Sequence, residues 1–210
     1  MKLRFHLAIA MGMAVIASAS FGAEPVSNTE SYALDICPVS GEKLGSMGDP
    51  ITREIEGREV KFCCEACIAP YEADVEGFSD KIDEAIIAQQ KDHYPLDTCV
   101  VMDQVELGEM GDPVDYVYGN RLVRFCCGGC VSAFEDDPEQ YIKKLDAAVV
   151  EQQREDYPLD TCVVMGRPLG SDPIEVVIAN RLVRLCCPGC VSDIAEEPAK
   201  YFEAIDEAKS

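Results

Sequence analysis

Along the chain, apolar and polar positions form one unbroken run followed by a pattern that repeats three times. The run goes from Leu7 to about Ala17. The repeating pattern is clearest in its middle copy. Val114, Tyr116 and Tyr118 alternate with other residues, Gly119-Asn120 is a turn pair, and Leu122-Val123-Arg124-Phe125 returns. Short apolar-rich runs around a two-residue turn predict a β-hairpin. The corresponding turns are Glu56-Gly57 and Ala179-Asn180. The period then lengthens. Tyr141, Leu145, Ala148 and Val149 stand at i, i+4, i+7 and i+8, which predicts one core-facing face of a helix. Asp137 reads as its N-cap and Pro138 as its first residue. Pro198, Tyr201, Ile205 and Ala208 repeat the stripe, as do Phe78, Ile82 and Ala85 without the proline. The polar stretch Glu151–Asp156 reads as a solvated helix end and a linker.

Exact words recur inside this pattern. Tyr94-Pro95-Leu96-Asp97-Thr98-Cys99 returns as Tyr157-Pro158-Leu159-Asp160-Thr161-Cys162, and a weaker copy is Tyr32-Ala33-Leu34-Asp35-Ile36-Cys37. Each copy continues to a doubled cysteine, then two intervening residues, then another cysteine: Cys63-Cys64 and Cys67, Cys126-Cys127 and Cys130, Cys186-Cys187 and Cys190. Self-similarity at this period means tandem structural units. From lead cysteine to doublet the spacing is 26, 27 and 24 residues. The variation is expected in the loop before Asp49-Pro50, Asp112-Pro113 and Asp172-Pro173, because insertions collect in loops. The chain therefore reads as α+β: three tandem modules on a string, 32–93, 94–156 and 157–210, each with a β-hairpin and one or two helices.

The opening run has a different meaning. Lys2 and Arg4 precede it and small residues follow, from Ala17 to Ala23. That is the layout of a secretory signal peptide over residues 1–23, with cleavage near Ala19 or Ala23. The expected location is periplasmic or secreted.

Charge narrows the partners. Against 39 Asp and Glu stand 18 Lys and Arg, a net charge of −21. Phosphate backbones would be repelled, so nucleic acid is not an expected partner. With 48% hydrophobic residues the chain is not a disordered acidic tail. No Ser-His-Asp constellation, phosphate loop or paired-carboxylate motif is present, and an enzyme is not expected. His93, outside the leader, stands at a linker position equivalent to Asp156 and reads as exposed.

The twelve cysteines are the remaining chemistry. All fall into the repeat, four per copy. A module of about 60 residues buries little apolar surface and is marginal without a staple. Disulfides and metal thiolates are the two candidates, and export permits the first. The spacing favours metal: one cysteine precedes the hairpin, one ends it, and one lies in the first turn of the next helix. Three sulfurs distant in sequence thus meet at one point. A thiol-disulfide oxidoreductase using Cys64 and Cys67 is a third reading, but the strand–helix–strand context of such enzymes is missing.

This layout resembles the YHS and TRASH-like treble-clef domains. Cys63 and Cys67 after Phe62, Cys126 and Cys130 after Phe125, and Cys186 and Cys190 after Leu185 match that family's Cys-x3-Cys. Cys37, Cys99 and Cys162 match the first cysteine of its knuckle. The resemblance covers all three copies. It implies treble-clef modules, each with a knuckle, a β-hairpin and a helix, that bind heavy metal. It implies one Zn2+ or Cu+ per module, up to three, held by these nine cysteines. A second exported or membrane metal-handling protein would be the partner in delivery. The family's second knuckle cysteine is replaced by Ser40, Met102 and Met165. Candidates for the fourth ligand are Cys64, Cys127 and Cys187, or more weakly Met102 and Met165, whose other role would be core filler; water or an open position are the remaining alternatives. Four thiolates suit Zn2+; thiolates with a thioether suit Cu+. The alternative function is a structural or interaction protein whose cysteines form disulfides or purely structural zinc sites.

Overall fold

The computed structural model describes residues 25–209. The signal-peptide reading of residues 1–23 lies outside them. Among the described residues no helix is long and apolar enough to cross a membrane.

The chain is mixed α+β, and each repeat builds the same unit. In the first, β2 (Ile51–Ile55) and β3 (Arg58–Phe62) form an antiparallel hairpin, followed by a 3-10 turn at Glu65–Cys67 and helices α1 (Ile68–Ala73) and α2 (Val75–Gln90). In the second, β4 (Val114–Tyr118) and β5 (Arg121–Phe125) lead into α3 (Gly129–Asp136) and α4 (Pro138–Gln153). In the third, β6 (Ile174–Ile178) and β7 (Arg181–Leu185) lead into α5 (Cys190–Glu196) and α6 (Pro198–Glu207). The hairpins turn at the three expected residue pairs. Glu56, Gly57, Ala179 and Asn180 take positive φ, as a tight turn between right-twisted strands requires. Each helical stretch is broken in two at a non-helical residue, Asp74, Asp137 or Glu197. Asp74 and Asp137 there accept from the backbone N–H of Gly77 and Gln140 at 3.2 and 3.4 Å. These are the caps that start α2 and α4.

Burial follows the predicted stripes with one correction. Ile82, Leu145, Val149 and Ile205 are buried, but Ala208 is exposed, one turn too late to reach the core. Aromatic rings seal the hairpin ends against the helices. Phe62 meets Tyr71 edge-on at 5.3 Å between centroids, and Phe125 meets Phe134 at 5.5 Å.

The modules are not beads on a string. One apolar cluster runs from Tyr32 through Ile86 to Leu122 and Leu145, and so is shared by the first two repeats. Val149 and Val150 of α4 pack on Val177 and Leu182 of the third hairpin. A polar joint recurs at both boundaries. Arg58 Nε donates to Asn120 Oδ1 at 3.0 Å, and Arg121 Nε to Asn180 Oδ1 at 2.8 Å. Asn120 Nδ2 donates to the Glu59 carbonyl and Asn180 Nδ2 to the Leu122 carbonyl, both at 2.9 Å. Gln90 donates to the Asn120 carbonyl and accepts from Leu122 N–H, while Gln153 does the same with Asn180 and Leu182. Gln153 was expected to be solvated; it is the clamp that holds the next hairpin. Both joint arginines, and the equivalent Arg181 of the last repeat, also pair with an aspartate 25 positions on: Arg58–Asp83, Arg121–Asp146 and Arg181–Asp206, all at 2.5 Å.

A further strand lies ahead of the first repeat. β1 (Val26–Asn28) pairs in parallel with β6, Val26 opposite Val176, so the start of the described chain is tied to its last repeat. The segment then passes the second hairpin, where Asn120 N–H donates to the Thr29 carbonyl at 2.7 Å. A Cβ on Gly119 would lie 2.6 Å from that same oxygen, and Gly119 has φ +61°. Both the turn and the close approach require glycine there.

Candidate metal centre

Each site is assembled from a loop, a hairpin end and a helix start. The lead cysteine opens a tight loop. Cys37 N–H donates to the Glu42 carbonyl at 2.9 Å, and Cys162 N–H to Arg167 at 2.7 Å, one residue sooner than Cys99 N–H to Val105 at 2.9 Å. Leu44, Leu107 and Leu169 then donate to Asp35, Asp97 and Asp160, closing the loop behind the cysteine. This register corrects the placing of the indels. The extra residue of the second repeat lies inside the lead-cysteine loop, and only the shortening of the third repeat falls before Asp-Pro. The first cysteine of the doublet follows the last residue of the returning strand. The third cysteine is fixed by a turn in which its N–H donates to the carbonyl of the second doublet cysteine, at 3.2 Å in all three repeats.

Three thiol groups converge in every repeat. Among the described residues Cys37, Cys63 and Cys67 have sulfurs mutually within 4.8 Å, as do Cys99, Cys126 and Cys130, and Cys162, Cys186 and Cys190. The nine sequence candidates are thus brought together three by three. The sulfurs lie 3.7 Å apart in Cys63–Cys67 and Cys126–Cys130, 3.8 Å in Cys162–Cys190 and 3.9 Å in Cys186–Cys190. A tetrahedral cation with metal–sulfur bonds of about 2.3 Å sets its sulfurs about 3.8 Å apart. A disulfide would instead collapse one pair to about 2.05 Å. All twelve cysteines are free thiols here. The donor set of three sulfurs fits a soft cation.

The second doublet cysteines stand beside the triads. Their sulfurs lie 3.8, 3.9 and 3.5 Å from Cys67, Cys130 and Cys190, yet they fall outside the mutually close sets. The knuckle substitutes behave differently from one another. Ser40 Oγ lies 3.3 Å from Cys63 Sγ. Met102 and Met165 are 44% and 48% exposed, so neither is core filler.

Electrostatics divide the three sulfurs by role. Burial opposes ionisation of the lead cysteines, but hydrogen bonds overcome it. The Ser40 hydroxyl and the backbone N–H groups of Ser40, Cys63 and Val39 bring Cys37 down to about 7. Burial likewise opposes Cys99 and Cys162, and backbone N–H groups lower both: those of Cys126, Met102 and Val101 for the first, those of Cys186, Met165 and Val164 for the second. Concave loops of N–H groups favour anions in this way. The third cysteines go the other way. Burial, then competition from the neighbouring thiols, pushes Cys67 up to about 12 and raises Cys130 and Cys190 as well. Each triad therefore combines a lead sulfur whose ionisation is favoured with a third sulfur whose ionisation is opposed.

His93 was expected to be exposed. It ends a 3-10 turn, is half-buried, and its pKa is lowered by burial and by Arg181 of the third repeat. The Gln–Asn–Arg joint that holds the sites together escaped the sequence reading. Its signal was present: Gln89-Gln90 and Gln152-Gln153 recur 63 positions apart.

No protein-family profile, curated protein or solved structure matches the chain.

Proposed function

We propose that the protein is an exported heavy-metal-binding protein that holds one soft cation, Zn2+ or Cu+, in each triad and buffers, stores or delivers it. The observation that carries this reading is the convergence of three thiols, three times over, at the spacing of ligands around one ion. The first-class donor at each site is sulfur, which selects soft ions over Mg2+ or Ca2+. The order of lead-cysteine loop, hairpin and helix-borne cysteine supports the treble-clef resemblance. The charged, small-residue-terminated leader supports export. An acidic surface adds a long-range pull on cations.

Metal content and thiol titration on one anaerobic sample test the proposal. Three equivalents of Zn2+ or Cu+ per chain, with nine thiols protected, is the expected result. Twelve reactive thiols after metal addition, or six intrachain disulfides in the exported protein, would refute it.

A further inference from the structure

Three ligands per site leave the second thiol of each doublet without a task. Cys64, Cys127 and Cys187 are half-buried, while the lead cysteines are 0%, 0% and 1% exposed. Each site thus has a closed side at the lead cysteine and an open side at the extra thiol. That thiol is held in the same way in all three repeats. The turn bond from the third cysteine to its carbonyl is 3.2 Å each time. The residues between are Glu65-Ala66, Gly128-Gly129 and Pro188-Gly189, so the backbone, not the intervening side chains, sets the position. Its distance to the third sulfur, 3.5–3.9 Å, is that of two ligands sharing one ion. In the first repeat Cys64 also lies 3.9 Å from Cys63.

We propose that Cys64, Cys127 and Cys187 are exchange ligands, through which a thiolate-bound cation passes between its triad and a thiol-bearing partner. The inference rests on reading the triads as soft-metal sites. In the exchange the extra thiol loses its proton and forms a metal–sulfur bond. The bond to Cys67, or to its counterpart Cys130 or Cys190, breaks, and that sulfur takes up a proton. The cation keeps its oxidation state, and no net proton is gained or lost. The extra sulfur already stands at ligand spacing from the one it replaces, and because it lies outside the mutually close set the cation moves toward the open side as the bonds exchange. The swap replaces a buried ligand by a half-buried one that an incoming thiolate can reach, and repetition of the same step completes the transfer.

Cd2+ serves as probe, because its thiolate complexes absorb in the ultraviolet. The chain is loaded anaerobically with three equivalents and mixed with excess dimercaptosuccinate. The variant C64S/C127S/C187S is expected to bind three Cd2+ like the parent but to release them about tenfold more slowly. In Cys127→Ser alone, one third of the amplitude slows, which keeps the test sound should the triple variant fold poorly. Iodoacetamide labelling of the loaded parent, mapped by peptide mass, is expected to find Cys64, Cys127 and Cys187 as the fast thiols. Equal release rates overturn the inference. So does protection of all twelve thiols, or fewer than three Cd2+ bound by the triple variant, since either makes these residues static ligands. A parent that binds no Cd2+ refutes the metal reading itself, and this inference falls with it.

Discussion

A sulfur's role at these sites is set less by its identity than by the N–H groups around it. Cys37, with the Ser40 hydroxyl and three backbone donors, is thiolate-ready near pH 7, whereas Cys67 holds its proton to about 12. Between about pH 7 and 9, therefore, each metal ion bound at the first triad should displace about two protons rather than three. Below pH 7 Cys37 protonates too, a third proton must leave, and affinity should fall more steeply with acidification. Calorimetric titration of Zn2+ in two buffers of different ionisation enthalpy measures the proton count. Substitution of a lead cysteine has a simpler expectation. Cys37→Ser, Cys99→Ser or Cys162→Ser should each lower bound metal from three equivalents to two, read by mass spectrometry under native conditions. These nine residues were legible in the sequence because cysteine is rare and its spacing repeated. The division among them was not, because it depends on backbone direction in loops whose side chains say little.

Secondary elements were legible where a local pattern is strong. Alternation plus a turn pair located all three hairpins, and Asp137-Pro138 located the start of α4. The joint between repeats was not legible, since Arg121, Asp146, Asn180 and Gln90 are of types seldom buried and local pattern gives no sign of their partners. In the fold they are almost wholly buried. Only the geometry reveals that Arg121 satisfies Asp146 and Asn180 together. Removing one partner of a buried ion pair strands the other, so Arg121→Ala should cost about 3–5 kcal/mol in urea unfolding. Asp206→Ala, which removes a half-exposed partner from Arg181, should cost less than about 1 kcal/mol. Gly119→Ala places a methyl against the Thr29 carbonyl in a left-handed turn and should destabilise by more than about 1 kcal/mol. It should leave the metal count unchanged, which separates damage to the joint from damage to a site.

At the scale of the molecule, three small cores become one body because the second helix of each of the first two repeats is shared. α2 closes its own unit and packs on the second hairpin, and α4 does so on the third. Sequence reasoning recovered the number of repeats but not their docking, since periodicity within a repeat does not register a face used by its neighbour. The cysteine sulfurs belong to the same cores, with Cys99 and Cys126 packed among Val100, Leu122 and Phe125. Stripping the ions should therefore loosen the whole molecule and not one loop. A chelator is expected to lower the melting temperature in a single cooperative step, followed by circular dichroism. The pairing of β1 with β6 carries a different consequence, for the order in which the molecule is made. Val26 meets a partner 150 positions later. A chain delivered amino end first, from a ribosome or through a translocase, has the first two repeats in hand while that partner is still to come. Closing so long a loop is costly until the repeats have docked and shortened the gap. The seam between the chain's beginning and its last repeat is then expected to form last, with β1 an unpaired edge until it does.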